Sequence, residues 1–373
     1  MVESRLDVSL LIGGREAFPE IARRIRAAER SVYVNMFIWR DDGIGNRLAA
    51  ELLHAAERGV RVTIVKDRYG IVCEQSEECR ASFFHPRPKP AERVKIFGLE
   101  LLYNADLMPQ KRPRGENALR DALLRHPNVT VSADENRHDH SKFWVFDDET
   151  LILGGINVEN KEDGADRAGR RYRDYMVELR GAELVRRFWQ RRGEPTASED
   201  DVFAFNLKSP RRCFELKDRY LRLIDGAAER LTILMAYFSP DADILRAVEA
   251  AAARGVDVCV AAPARANFTD ANNKRTLQTL YGIPGVTLYL SDYMLHAKLL
   301  MSEKELSIGS CNVSKKAFRQ LDELNVFLPN DGGAFAASVR ESVKATIAEA
   351  QRVTDPAMLR HSALLARLES VLV

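Results

Sequence analysis

Two short stretches of this 373-residue chain carry the same residue types in the same order. His140-Ser141-Lys142 leads through an apolar stretch to Gly154-Gly155-Ile156-Asn157, and His296-Ala297-Lys298 leads likewise to Gly309-Ser310-Cys311-Asn312. A neutral imidazole can attack phosphorus or move a proton, while an ammonium and an amide can hold the anionic oxygens on which charge develops. The repeated set therefore predicts chemistry on a phosphodiester.

The motifs lie within a longer repeat, which makes coincidence a poor explanation for them. The order of a strand, a helix and a second strand is predicted twice, at 31–39, 48–53 and 58–65 and again at 231–238, 243–253 and 254–260. In each half an Arg-Gly-Val run closes the helix with a glycine, Gly59 or Gly255, and opens a buried strand, as a βαβ unit requires. The chain is therefore predicted to hold two similar halves, 1–195 and 196–373, joined by a charged linker at 190–201.

The first half contains an insertion within residues 70–137. Gly59 lies 81 residues before His140, whereas Gly255 lies only 41 before His296. The proline-rich run 83–90 is predicted to be a loop. Lysine and arginine outnumber acids nine to four between Arg80 and Arg120, which favours a solvated loop. The alternative is a lid that meets anionic lipid headgroups, with cations and apolar side chains that include Phe83, Phe84, Leu107, Met108, Arg112 and Arg114.

Composition limits the class of protein but not its substrate. A net charge of +2, from 56 basic and 54 acidic residues, argues against nucleic-acid binding driven by overall charge. No apolar run reaches the roughly 20 residues of a membrane span, and the N-terminus does not resemble a secretory signal, so a cytoplasmic location is expected. A helical tail is predicted from Ala334, and packing against the body is the favoured interpretation of its apolar stripe, Leu359, Leu364, Leu365, Leu368 and Leu372.

The two motifs resemble those of the phospholipase D superfamily, which read His-x-Lys, four residues, Asp, six residues, Gly-Ser/Gly-x-Asn. The first copy fits throughout, with Asp147, Gly154 and Gly155 in place. The second copy is one residue shorter between Lys298 and Gly309, so that its Asp position falls on Ser302 or Glu303. Because that Asp is usually structural, the departure is expected to affect local geometry more than chemistry.

The resemblance implies a fold, a mechanism and a set of site residues. The implied fold is α/β, with two similar phospholipase D-like α/β/α sandwich domains in pseudo-two-fold symmetry and one active site between them, supplied by one monomer. His140 is assigned as the nucleophile that forms a phosphohistidine and His296 as the acid/base, although sequence symmetry leaves the reverse open. Neither a metal nor another cofactor is implied. The implied phosphate-binding residues are Lys142, Lys298, Asn157, Asn312 and Ser310, and the implied histidine partners are Glu323 for His140 and Asp174 for His296.

Wider similarity favours one substrate class. Residues 11–18, 37–45, 154–157 and 236–241 look like bacterial cardiolipin synthases without their N-terminal membrane helices. This resemblance implies a phosphatidyltransferase, peripheral on the inner membrane face, that joins two phosphatidylglycerols at an anionic membrane surface and releases glycerol. A phospholipase that uses water or an alcohol, a nuclease for single-stranded nucleic acid, and a degenerate scaffold stay open as alternatives.

Overall fold

The computed structural model describes residues 6–77, 79–103, 116–166, 169–193, 202–208 and 212–372. The predicted linker residues 194–201 and the predicted lid residues Leu107, Met108, Arg112 and Arg114 lie outside these ranges. The chain divides into two compact units, one of Met1–Tyr172 with Glu178–Trp189 and one of Arg173–Val177 with Gln190–Val373. The predicted domain boundary at 195/196 stays a prediction.

The described residues form both helices and strands. The helices are α1 (Gly13–Ala27), α2 (Gly43–Glu57), α3 (Ile71–Ser76), α4 (Pro90–Tyr103), α5 (Ala118–Arg125), α6 (Ala182–Gly193), α7 (Leu216–Gly226), α8 (Ala242–Ala253), α9 (Asp270–Leu280), α10 (Lys315–Arg319), α11 (Ala334–Glu349) and α12 (Ala363–Leu372). The strands are β1 (Asp7–Ile12), β2 (Ser31–Met36), β3 (Arg61–Lys66), β4 (Val129–Ser132), β5 (Lys142–Phe146), β6 (Thr150–Gly154), β7 (Tyr172–Arg173), β8 (Tyr175–Arg180), β9 (Phe203–Leu207), β10 (Cys213–Phe214), β11 (Arg230–Met235), β12 (Asp257–Pro263), β13 (Val286–Ser291), β14 (Met294–Leu295), β15 (Lys298–Ser302), β16 (Glu305–Gly309), β17 (Glu323–Pro329) and β18 (Gln351–Arg352). Short 3-10 helices span Arg68–Gly70, Asn160–Glu162 and Pro356–Leu359.

The first unit is built on a mixed sheet in the order β1-β8-β6-β5-β2-β3-β4. β2, β3 and β4 are parallel, β5 is antiparallel to β2, and β5 and β6 form a hairpin. The segment β2-α2-β3 is the predicted βαβ unit. Asp42 caps α2 by accepting a hydrogen bond from the Gly45 N–H, and Gly59 follows the helix at a φ of +95°, which glycine adopts without strain.

The second unit repeats this arrangement in a sheet of order β10-β9-β17-β16-β15-β11-β12-β13-β18. β11, β12 and β13 are parallel, β15 is antiparallel to β11, and β15 and β16 form a hairpin. Asp241 caps α8, and Gly255 follows that helix at a φ of +90°. The prediction of two similar α/β repeats is thus confirmed, and each hairpin carries one His-x-Lys motif at its start.

Part of the insertion is more regular than the sequence indicated. Residues 83–89 form a loop, as predicted, but Pro90, which was predicted to lie in that loop, begins α4, and α5 follows at Ala118. Proline is compatible with the first turn of a helix because the N–H that it lacks would have no partner there. The proposal that Phe83 meets lipid is wrong, because Phe83 is fully buried and its ring centroid lies 6.1 Å from that of Trp39.

The tail is helical, but its apolar stripe is only partly covered. Leu359 is buried, as predicted, whereas Leu364 is 71% exposed and Leu368 is 50% exposed. The expectation that the whole stripe packs is therefore wrong for these two leucines. α12 instead turns Ala366 and Glu369 inward, and a Glu369 carboxylate oxygen accepts a hydrogen bond from the Asn272 N–H at 2.7 Å.

Among the described residues, no helix is both long enough and apolar enough to cross a bilayer.

Candidate active site

The first motif lies at the start of β5, where His140 precedes the strand and Lys142 is its first residue. Lys142 is fully buried, and its ammonium donates a hydrogen bond to the carbonyl oxygen of His140. The ring of Phe37 stands edge-on to the His140 imidazole, with centroids 4.8 Å apart, and its centroid lies 5.2 Å from Lys142 Nζ. The two motif side chains are therefore fixed against the same aromatic ring.

Asn157 follows β6 and is 3% exposed. Its side-chain Oδ1 accepts a hydrogen bond from the Ile38 N–H at 3.3 Å. Since this main-chain donor fixes the amide, Nδ2 is the atom that Asn157 can offer to an anionic oxygen.

A chain of buried polar groups holds the backbone before His140. Asp67 Oδ2 accepts hydrogen bonds from the N–H groups of Arg137, at 3.1 Å, and Asp139, at 2.6 Å. Asp139 in turn accepts from the Ser141 N–H at 2.9 Å and from the Ser141 hydroxyl, and Asn35 Nδ2 donates to the Ser141 carbonyl at 3.0 Å. Sequence reasoning did not identify these positioning residues. The one feature of the sequence that could have indicated them is Asp67, the acid directly after β3.

The second motif forms a compact cluster with an acid. His296 Nδ1 lies 2.8 Å from Asp174 Oδ2, Lys298 Nζ lies 3.2 Å from the same oxygen, and Lys298 Nζ lies 3.1 Å from His296 Nδ1. All three side chains are more than nine-tenths buried. The structure thus brings together Asp174 and His296, which the resemblance pairs, and places Lys298 on the same carboxylate.

The charge of this cluster follows from its surroundings. Burial opposes ionisation of Asp174, but the ammonium of Lys298 and the His296 ring outweigh it and hold the pKa of the carboxyl below its ordinary value. An ionised carboxylate on Nδ1 favours the tautomer with a proton on that nitrogen, so Nε2 is left as the nitrogen for chemistry. His296 is thereby prepared to exchange a proton through Nε2.

The glycine-rich turn of the second motif is tightly packed. A Cβ on Gly309 would lie 2.3 Å from both the Leu324 carbonyl oxygen and Asn325 Oδ1, so only glycine fits there. The Ser310 hydroxyl donates to Glu323 Oε2 at 2.5 Å. Asn312 is 6% exposed, and its Oδ1 has no hydrogen-bond partner among the described residues. Glu323 is therefore placed beside Ser310, and its proposed pairing with His140 stays a prediction.

In the turns of the two motif hairpins, two different acids accept hydrogen bonds from the main chain. Asp147 accepts hydrogen bonds from the N–H groups of Glu29, Arg30 and Ser31, at 3.0, 2.8 and 2.8 Å. Glu303 accepts from those of Ala228, Glu229 and Arg230, at 2.9, 3.3 and 3.3 Å. The shorter second turn is matched by a longer side chain. Of the two positions that the sequence left open, Glu303 takes the place of Asp147.

Removal of either turn carboxylate should destabilise the protein at neutral pH. Asp147→Ala and Glu303→Ala should each lower the free energy of unfolding by about 1–2 kcal/mol, because charged acceptors of several N–H groups are lost at partly exposed positions. Glu149→Ala, at an exposed residue of the first turn, is the matched control and should change it by less than about 0.5 kcal/mol. Urea unfolding at pH 7 measures these differences.

The stability difference between each variant and the wild type should become smaller in acid. Burial opposes ionisation, but the N–H donors outweigh it and hold the pKa of Asp147 and of Glu303 below the ordinary carboxyl value. A lowered pKa means that the stabilisation is present above the unfolded-state pKa and is lost as pH falls through the folded-state pKa. An unchanged difference at about pH 3 would contradict this account.

The described residues contain no group of three or more His, Cys, Asp or Glu that could hold a metal ion. His138, two residues before His140, stacks on Tyr69 with centroids 4.6 Å apart.

Comparison with known proteins shows which protein family this chain matches. The family described as "Cardiolipin synthase, PLD-like domain" matches residues 21–191 and 220–347. Cardiolipin synthase A of Pseudomonas fluorescens is 27% identical over 365 residues, which cover 93% of this chain and 69% of the relative. Cardiolipin synthase of Listeria monocytogenes is 24% identical over 350 residues, with 86% and 65% covered. The chain thus spans about two thirds of the length of these relatives.

Two solved structures share the fold at low sequence identity. Phosphatidylserine synthase of Haemophilus influenzae aligns with a TM-score of 0.69 at 12% identity, over 97% of this chain and 91% of its own. Polyphosphate kinase of Porphyromonas gingivalis aligns with a TM-score of 0.58 at 11% identity, over 97% and 52%. At such identities the likeness is one of fold.

Proposed function

Since this chain belongs to the family of cardiolipin synthases with phospholipase D-like domains, we propose that it transfers the phosphatidyl group of one phosphatidylglycerol to a second and releases glycerol. The observation that carries the chemistry is the intact second set, in which Asp174, His296 and Lys298 lie within hydrogen-bond distance of one another. The similarity to cardiolipin synthases supports the choice of lipid.

The proposed reaction has two steps that share one phosphorus atom. An imidazole nitrogen of neutral His140 attacks phosphorus and forms a P–N bond while the P–O bond to glycerol breaks. His296, which enters this step protonated on both ring nitrogens, gives its Nε2 proton to the departing oxygen. The hydroxyl of the second phosphatidylglycerol then gives its proton to His296 and attacks phosphorus, which breaks the P–N bond. Both histidines end in their starting states.

The remaining site residues would stabilise charge. Lys142 and Lys298 are each held by the carbonyl oxygen of the histidine two residues earlier, which fixes the ammonium groups beside the imidazoles. Together with the amides of Asn157 and Asn312 and the Ser310 hydroxyl, they are proposed to bind the non-bridging oxygens of phosphate. Asp174 acts by positioning His296, and Glu323 is proposed to do the same for His140.

The alternative functions differ from the proposed one in the molecule that accepts the phosphatidyl group or in the phosphodiester that is cleaved. A phospholipase would use the same first step and then water, which the site geometry permits equally well. A nuclease is favoured only by the basic insertion. A degenerate scaffold is disfavoured because His296, Lys298 and Asp174 form a complete cluster. The proposal includes a cytoplasmic location with peripheral attachment to the inner membrane face.

The test is to incubate the purified protein with phosphatidylglycerol vesicles and to identify the products by mass spectrometry, with His140→Ala as the control. Cardiolipin with an equal amount of glycerol, absent from the control, is the expected result. Phosphatidic acid alone would replace the transferase by a phospholipase. Cleavage of a generic phosphodiester without any lipid turnover would favour the nuclease.

A further inference from the structure

The helix α4 carries an apolar stripe on its exposed side, which faces away from the rest of the first unit. Val94, Phe97 and Leu101 are 73%, 66% and 63% exposed. Their spacing of three and four residues places them on one face of the helix. Single exposed apolar residues are ordinary, but three large ones in a row on one helix face indicate a surface that meets another apolar phase. These three residues are called the α4 stripe below.

The opposite face of α4 is fixed to the protein. Ile96 is fully buried and packs with Ile71 and Val72. The acids of the helix also turn inward, where Glu92 pairs with Arg68 at 2.7 Å and Glu100 pairs with Arg80 at 3.4 Å. The negative charges of α4 are thereby neutralised, and the exposed side keeps only positive ones.

Cations flank the α4 stripe on both sides. Arg93 and Lys95 are neighbours of Val94 in sequence and lie on either edge of the stripe, and Arg87 and Lys89 precede the helix; all four are exposed. None of them forms an ion pair within the described part of the chain. An apolar stripe edged by lysine and arginine is the pattern of a helix that lies in the interface of an anionic bilayer, with its apolar residues among the acyl chains and its cations at the headgroups.

We propose that the α4 stripe and its flanking cations form a membrane-docking surface for anionic phospholipid bilayers. The position of α4 suits this role. Arg68, which holds Glu92, directly follows Asp67, the carboxylate that fixes the backbone before His140. A nucleic acid would match the cations but would gain nothing from Val94 and Leu101. The inference rests on the proposed function only for the choice of phosphatidylglycerol as the probe lipid.

The test measures co-sedimentation with vesicles of phosphatidylcholine alone or mixed with phosphatidylglycerol. The triple variant Val94→Gln, Phe97→Gln, Leu101→Gln should weaken binding to mixed vesicles about tenfold or more, because the buried apolar area is lost. Arg93→Glu with Lys95→Glu should weaken it by a similar factor on mixed vesicles only, and added salt should weaken wild-type binding. Unchanged binding by either variant would overturn the proposal.

A matched control separates this surface from general hydrophobicity. Leu364 and Leu368 are also exposed on a helix, α12, so Leu364→Gln with Leu368→Gln removes similar area elsewhere and should leave vesicle binding unchanged. An equal loss in this control would overturn the proposal. A lower melting temperature of the triple variant would also overturn the proposal, because it would mean that the protein itself covers the stripe. A wild-type dimer that the triple variant abolishes would overturn it as well, because the stripe would then bind a second copy of the chain.

The outcome is distinguishable from a failure of the proposed function. On monomeric short-chain phosphatidylglycerol, which requires no docking, the triple variant should turn over at the wild-type rate. Wild-type protein that binds mixed vesicles through α4 but turns over no lipid would leave the docking surface standing and remove the transferase. Lipid turnover by a wild-type protein that does not bind vesicles would leave the transferase standing and remove the docking surface.

Discussion

Asp174→Asn should lower kcat by about 10²–10⁴-fold while the protein still folds. The amide keeps an oxygen for the Tyr175 N–H, which donates to Asp174 Oδ1 at 2.8 Å. It cannot serve as the anionic acceptor for both His296 and Lys298, so the imidazole loses its fixed tautomer and Lys298 keeps a buried charge without compensation. The measurement is the steady-state rate of lipid turnover as a function of pH.

A second readout separates catalysis from stability. Asp241→Asn is the matched control, because Asp241 is also a buried acid of the second unit and pairs with Lys217 at 2.7 Å. It should lower the free energy of unfolding but leave kcat within about threefold of wild type, since it does not touch His296. A rate for Asp174→Asn as high as that of the control would contradict the positioning role of Asp174.

The stability cost of Asp174→Asn should depend on pH in a defined direction. Because the pKa of Asp174 is lowered, its contribution is complete above the unfolded-state pKa and disappears as pH falls through the folded-state pKa. Urea unfolding curves of the wild type and the variant should therefore differ at pH 7 and approach each other in acid.

Glu74→Ala should lower the free energy of unfolding by about 3–5 kcal/mol. Glu74 and Lys66 are both fully buried, and Glu74 Oε1 lies 2.9 Å from Lys66 Nζ. The same oxygen accepts a hydrogen bond from the Trp39 N–H at 2.7 Å. Among the residues that the structure describes, loss of the carboxylate leaves the buried Lys66 ammonium with the Asp67 carbonyl oxygen, at 2.7 Å, as its remaining acceptor. Chemical denaturation at neutral pH measures the effect.

The double variant Lys66→Met, Glu74→Leu provides the control for this prediction. Both charges are then replaced by apolar groups, so no uncompensated ion is left, and the double variant should be more stable than Glu74→Ala by about 2 kcal/mol or more. Additive losses from the two positions would show that Lys66 and Glu74 contribute independently and that the ion pair is not what stabilises this part of the first unit.

The repeated architecture was predictable because its signals are local. The glycine after α2 and α8, the apolar strands and the His-x-Lys spacing all lie within short windows, and a helix or strand period can be read in such windows. The contact between Asp174 and His296 is not local. Its prediction came from resemblance, and no property of residues 122 positions apart would have indicated it.

The features that sequence reasoning missed depend on tertiary packing. Glu303 could be recognised as the counterpart of Asp147 only once both carboxylates were seen to bind the main chain ahead of β11 and β2. Phe83 was expected to be exposed because it lies in a proline-rich basic run, yet Trp39 buries it. The stripe of α4 was overlooked because three prolines at and just before its start suggested irregular structure throughout the insertion.

The segment Arg173–Val177 belongs to the second unit although it precedes the rest of that unit along the chain. The Tyr175 hydroxyl lies 3.0 Å from Ser342 Oγ, Arg173 Nη1 donates to Thr346 Oγ1 at 3.0 Å, and the His296 N–H donates to the Arg173 carbonyl oxygen at 2.8 Å. A gene cut at the boundary between the repeats would therefore yield a C-terminal fragment with His296 and Lys298 but without their carboxylate. The second repeat therefore does not contain the Asp174, His296 and Lys298 cluster by itself.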